Sequence, residues 1–176
     1  MALLAEGILK LHWDQTVPVN VAHIVKQMGV RLQLQDGLPC SALLSIDLHN
    51  QAHIRLHQQL SHVHQRYVVA HALAHVALHH LRPGMSQLIH ISEDFRLDFS
   101  LRHMLEANDF ALRLLMPDVA LRYAVDTMQA RDAQEVAHVF AVPPLFVKQR
   151  MAELGLAFAR AVPRHQRGFT IDLDSD

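Results

Sequence analysis

His71 and His75 stand four residues apart in the apolar stretch VVAHALAHVALHH, which runs from Val68 to His80. Residues four apart on a helix share one face, with Cβ atoms about 5–6 Å apart, so two imidazoles at this spacing can bind one tetrahedral metal ion. A zinc hydrolase of the His-Glu-x-x-His type places a glutamate directly after the first histidine, to take a proton from metal-bound water. It draws a third ligand from another element. Here Ala72 occupies the position of that general base, leaving no catalytic residue in the motif. A methyl group cannot accept a proton, and a positioned base contributes about 10²–10⁴-fold to rate.

The pair by itself says little. The chain carries 15 histidines in 176 residues, a density at which a random sequence of this length holds roughly one such pair. This sequence has four, at 49/53, 53/57, 71/75 and 75/79. His79 continues the row but lies about 12 Å along a helix axis from His71, too far for all three to share an ion.

The surrounding pattern supplies the elements that would hold these side chains. Leu3 to Trp13 reads as an amphipathic helix. In VPVNVAHIVKQMG, Pro18 suits a first helical turn and Gly29 suits the end. VRLQLQ, SALLSID and AHIRL alternate in the manner of strands, with Asp36-Gly37 as a turn, and predict a small antiparallel sheet of about three strands. From Ser61 to Leu81 there is no breaker and the apolar residues face nearly every side after Tyr67, which predicts a mostly buried helix ended by Pro83-Gly84. Ser92 with Glu93 and Asp94 suits the start of a long helix. Pro117-Asp118 ends it, and shorter helices fit 118–128, 132–140 and 143–154. The fold class is α+β: a small antiparallel sheet packed on a central HxxxH helix, with a helical C-terminal half. One domain over residues 1–156 and a loosely held tail over 157–176 is the expected organisation.

Composition bounds the partners. With 16 basic and 17 acidic residues, the net charge of −1 gives no overall pull toward nucleic acid or anionic lipid. A single cysteine, Cys40, rules out an intramolecular disulfide. Glu6 interrupts the first apolar run, no basic leader precedes it, and no run approaches the 18 apolar residues of a membrane span. A soluble, cytoplasmic protein is the expectation.

Five segments in order, PVNVAHIVKQMGV, SALLSIDLHNQAHIRL, QRYVVAHALAHVALHH, EANDFALRLLMP and VAHVFAVPPLFVKQRMAELGL, resemble the ImmA/IrrE family of metallopeptidases over about residues 17–156. HxxxH followed by ANxFAxxLLMP carries that resemblance, far more specifically than the histidines do. It implies a zincin-like metallopeptidase domain of the kind that cuts helix-turn-helix repressors of mobile elements or stress regulons. It also implies a metal held by His71 and His75, with Ala72 in place of the catalytic glutamate. The family's third ligand, three residues before the Ala-Asn of the second motif, falls on Met104. Its thioether suits copper(I) better than zinc. His103, about 100° around the helix from Met104, is the candidate substitute ligand, whereas Glu106, about 200° around, should face away. Zinc on two histidines completed by water would be held weakly, and no other cofactor is implied.

Two functional readings follow. One is a catalytically inactive pseudo-metallopeptidase that binds a protein partner, a helix-turn-helix repressor or an active relative. The alternative is a true zinc metalloendopeptidase, either disabled by Ala72, natural or introduced, or using an atypical third ligand. A third, DNA-associated reading rests on Lys148 and Arg150 in 132–154, which could touch phosphate; without a wider basic patch, direct nucleic-acid binding is not favoured. His49, His53, His57, His62 and His64 read as surface positions of a His-rich chain, and Cys40 as an incidental thiol. Phe140, Leu145, Phe146 and Met151 read as core, and Trp13 as a core cap or partner contact.

Overall fold

The computed structural model describes residues 2–95, 101–128 and 130–158. Among these the order is α1 (Ala2–His12), α2 (Val21–Gln27), β1 (Arg31–Gln35), β2 (Ala42–Ile46), β3 (Ala52–His57), α3 (His62–Ala77), β4 (Ser86–Ile89), α4 (Arg102–Leu115) and α5 (Asp118–Arg122). A π-helical turn (Tyr123–Thr127) continues α5, and α6 (Ala133–Phe140) and α7 (Pro144–Leu154) close the described chain. The α+β class holds.

The sheet is mixed rather than antiparallel throughout, and it has four strands in the order β1-β3-β2-β4. β2 pairs antiparallel with both β3 and β4, while β1 runs parallel to β3, with Leu32 opposite Ile54. Asp36-Gly37 therefore turns the chain without making a hairpin between β1 and β2. The reason is hydrophobic: β2 and β3 each bury alternate residues, Ala42, Leu44 and Ile46 beside Ala52, Ile54 and Leu56. They take the centre, and β1, whose Leu34 stays exposed, is left at an edge. The fourth strand comes from SQLI, whose last residue, Ile89, is buried.

The inner face of the sheet lies against α3, in which His64 and every residue from Tyr67 to His75 is buried. Ser61 caps the helix, its side chain accepting from the His64 N–H. The helix ends at Ala77 rather than near Leu81. His79 adopts the left-handed conformation (φ 55°), and the N–H groups of His79 and His80 bond back to the carbonyls of Val76 and His75 at 3.1 and 2.9 Å. This is a Schellman end with histidine where glycine is usual.

On the other side of α3 lies α4. Ala107, Phe110, Ala111, Leu114, Leu115 and Met116 are all fully buried, so the second sequence motif is a packing surface. α4 begins at Arg102 rather than at Ser92, whose neighbourhood is a turn, and residues 96–100 lie outside the described residues. α1 packs across α4 through Ala5, Ile8 and Leu9. α2 starts at Val21 under an Asn20 cap, so Pro18 precedes the helix rather than occupying its first turn. Leu145 departs from the expected core at 58% exposure, while Phe140, Phe146 and Met151 are buried. The tail beyond residue 158 lies outside the described residues.

Candidate functional site

The helical spacing of His71 and His75 brings their rings together: Nε2 faces Nε2 at 3.1 Å, with both side chains fully buried in α3. Ala72, also fully buried, follows on the same helix and brings no polar atom. The second nitrogen of His75, Nδ1, lies 3.0 Å from Nδ1 of His80. Nε2 of His80 reaches Oε2 of Glu106 on α4 at 3.2 Å, and Oε1 of the same carboxylate accepts from Arg102 Nε at 2.8 Å. Three imidazoles and one carboxylate thus form a line rather than a cage.

His80 is the residue that sequence reasoning did not assign. Its ring lies beside His75 because the Schellman turn at His79 reverses the chain at the end of α3. An uninterrupted helix to Leu81 would have carried it elsewhere. The same turn corrects the placing of Glu106, which faces this cluster rather than away from it. Angular counting from Met104 assumed a site centred on α3, whereas Glu106 meets His80 beyond the helix end. His103 is also present, its ring centroid 5.8 Å from that of His75 and 5.9 Å from that of His80. Met104 is half-buried on α4.

The far end of the line is closed by Asn108 and Tyr67. Tyr67 Oη donates to Asn108 Oδ1 at 2.8 Å, and the phenol ring packs on Phe146 with centroids 4.6 Å apart. Burial raises the phenol, which therefore remains a donor. His71 Nδ1 and Asn108 Nδ2 are buried without a hydrogen-bond partner.

The electrostatics follow from dryness. Burial pushes His71 down to about 4, the adjoining Asn108 carboxamide opposing the shift. It pushes His75 down to about 3, with His71, His80 and His103 adding like-charge repulsion. His80 is lowered by the same cause, and Glu106 is lowered by its bond from Arg102. All three imidazoles are thereby favoured as neutral bases.

Neutral imidazoles suit a metal, and the Nε2 spacing of His71 and His75 is near the 3.4 Å or so that two nitrogens keep on a tetrahedral zinc. The rest of the donor set does not follow. Among the described residues no group of three or more His, Cys, Asp or Glu side chains is placed to hold a metal ion. The thioether of Met104 is a poor zinc donor, and His80 approaches His75 from the nitrogen opposite to the one that faces His71.

The other histidines do not gather. His49 and His62 are exposed, while His53 bonds Asp47 at 3.2 Å. His57 shares the outward face of β3, and His64 is buried against the Ile91 carbonyl. Cys40 is buried with its thiol on the Ala42 carbonyl. Of the two cations proposed to touch phosphate, Lys148 is exposed, but Arg150 is fully buried between Asp118 and Glu153. Trp13 is partly buried against the core and donates to the Thr16 carbonyl. No helix among the described residues is long and apolar enough to cross a membrane.

Comparison with known proteins places this geometry in a family. No curated protein matches the chain. Among solved structures, a Mycobacterium tuberculosis transcriptional regulator superposes with a TM-score of 0.60 at 19% identity, over 93% of this chain and 47% of that one. That likeness is one of fold, and the chain spans about half the regulator's length. The model of the IrrE N-terminal-like domain, peptidase M78, matches residues 25–152, from α2 through the HxxxH helix and α4 to α7. The chain belongs to the IrrE N-terminal-like domain family.

Proposed function

We propose that this chain is a regulatory member of its family that binds a protein partner without hydrolysing it, the partner being a helix-turn-helix repressor or an active relative. One observation carries the reading: the general-base position beside His71 is a fully buried alanine. The carboxylate the site does contain, Glu106, is already held by His80 and Arg102. Without a base the rate loss is about 10²–10⁴-fold, while the buried residues that build the domain are kept. Val119, Tyr123 and Met128, all more than half exposed, border an apolar groove of about 1020 Å³ that also includes Trp13 and Phe140. Surface of this kind supports a binding role.

The test pairs binding with cleavage on a candidate helix-turn-helix repressor. The full chain should bind it and leave it intact, and joint Ala72→Glu and Met104→Glu substitutions should restore cleavage. Zinc-dependent cleavage by the unaltered chain would overturn the reading.

A second reading, a peptidase with an atypical third ligand, rests on the approach of His103 to His75 and His80. It requires about one zinc per chain, lost on His103→Ala.

A further inference from the structure

β1 forms one edge of the sheet, and its Gln35 carbonyl accepts from the Gln58 N–H at 3.0 Å, on the β3 side. Successive residues of a strand turn their N–H and C=O groups to opposite sides, so those of Leu32 and Leu34 point away from the sheet. The same two side chains share the inner face with Ile54 and Leu56, which are buried. Leu34 is nevertheless 59% exposed. Edge strands of folded proteins are guarded by lysine, proline or an inward charge, and β1, Arg-Leu-Gln-Leu-Gln, has none of these.

The outer face beside this edge is cationic. Arg31 stands on it at the edge, with His53 and Arg55 one strand in. His53 has Asp47 at 3.2 Å, whereas among the described residues neither arginine makes an ion pair. An edge of this kind is complemented by an extended segment that is apolar on one side and acidic on the other. The chain contains one. Phe169, Ile171 and Leu173 alternate with Thr170, Asp172 and Asp174, beyond the last described residue, Phe158. The chain between Phe158 and Thr170 spans up to about 40 Å when extended, roughly the width of a domain of this size.

We infer that residues 170–174 dock on the edge of β1 as an antiparallel strand, with Ile171 opposite Leu34 and Leu173 opposite Leu32. In this register the outward N–H and C=O groups of both β1 leucines are exchanged with the segment, and Leu34 gains an apolar neighbour. Asp174 stands opposite Arg31, and Asp172 stands opposite Gln33 and diagonal to Arg31. A parallel strand with the same leucines paired would instead set Thr170 opposite Arg31 and Asp174 opposite Gln35. The other edge, β4, does not suit the segment: its inward Gln87, beside Leu44, would meet the apolar side, and its outward Leu88, beside Leu43, would meet the acids. This inference goes beyond the partner-binding reading and does not depend on it.

Amide hydrogen exchange at Leu32 and Leu34 in the full chain tests the docking. Both amides should exchange at least about tenfold more slowly than in a variant carrying Ile171→Lys and Leu173→Lys, which puts charge on the inner side of the segment. Arg31→Asp should speed them, and adding Asp174→Arg should slow them again. Equal rates in the unaltered chain and the Ile171→Lys, Leu173→Lys variant overturn the inference. Protection that grows with protein concentration overturns it too, by assigning the edge to a second copy of the chain. Should Arg31→Asp fail to fold, the variant at 171 and 173 still decides. Repressor binding is read separately, so failure of the docking and failure of the partner reading remain distinct.

Discussion

Arg150 is among the largest side chains the fold buries completely. Its guanidinium pairs with Asp118 from α5 and with Glu153 one turn along α7, at 2.9 Å in the latter case, while Nε has no partner. Such a pair stabilises less than its geometry suggests, because desolvation offsets much of the attraction; losing one partner is what costs. Arg150→Ala should therefore lower stability by about 3 kcal/mol in urea unfolding, and Arg150→Met, which keeps the volume, by clearly less. Equal losses would assign the effect to the lost pairing rather than to packing. Ala72 poses the reverse problem at the same scale. It is fully buried, so a glutamate there would be held protonated by the core unless a cation met it.

At the scale of elements, α3 is held in place at both ends by histidine chemistry. Its first turn fixes His64 on the Ile91 carbonyl, after β4, and its last turn delivers His80 to α4 through Glu106. Buried neutral imidazoles make this helix sensitive to acid. His71 and His75 titrate at about 4 and about 3 in the folded chain, and near 6.5 when unfolded. Between those limits the unfolded state binds more protons, so stability rises with pH. It should be fully present above about pH 6.5 and be lost as pH falls toward 4, with a slope of about 1.4 kcal/mol per pH unit for each unmatched proton. Urea midpoints measured across pH 4–7 check this. His71→Gln should roughly halve that slope, and an unchanged slope would place the titration elsewhere.

Across the whole molecule, the core does not respect the bounds of the family match. Residues 25–152 match, yet Ala5, Ile8 and Leu9 of α1, with Val19, Val21 and Ile24, belong to the same buried cluster. α1 lies on α4, the element that also presents Asn108 and Glu106 to the histidines. Burying a leucine or isoleucine contributes about 1.5–3 kcal/mol each, so a chain trimmed to 25–152 should lose cooperative unfolding and the dispersion of its histidine resonances. A trimmed chain that melts as sharply as the full one would show α1 to be an accessory.

The sequence by itself determined the local things. HxxxH at helical period placed two imidazoles on one face of the helix, and the alternation in β2 and β3 specified which strands are buried. ANxFAxxLLMP specified the surface that covers α3, because each of these rests on residues a few positions apart. The tertiary structure alone decided the rest. The strand order depends on which of the four strands bury most, a comparison that no single segment contains. His80 joined the site through a left-handed residue at His79, a conformation that histidine adopts only when the reversal it permits is compensated elsewhere, here by bonds to His75 and Glu106. Glu106 became part of the line only because that reversal carried a donor, His80, to it. Asn108, 37 residues further along the chain, is brought to His71 only because α4 packs on α3.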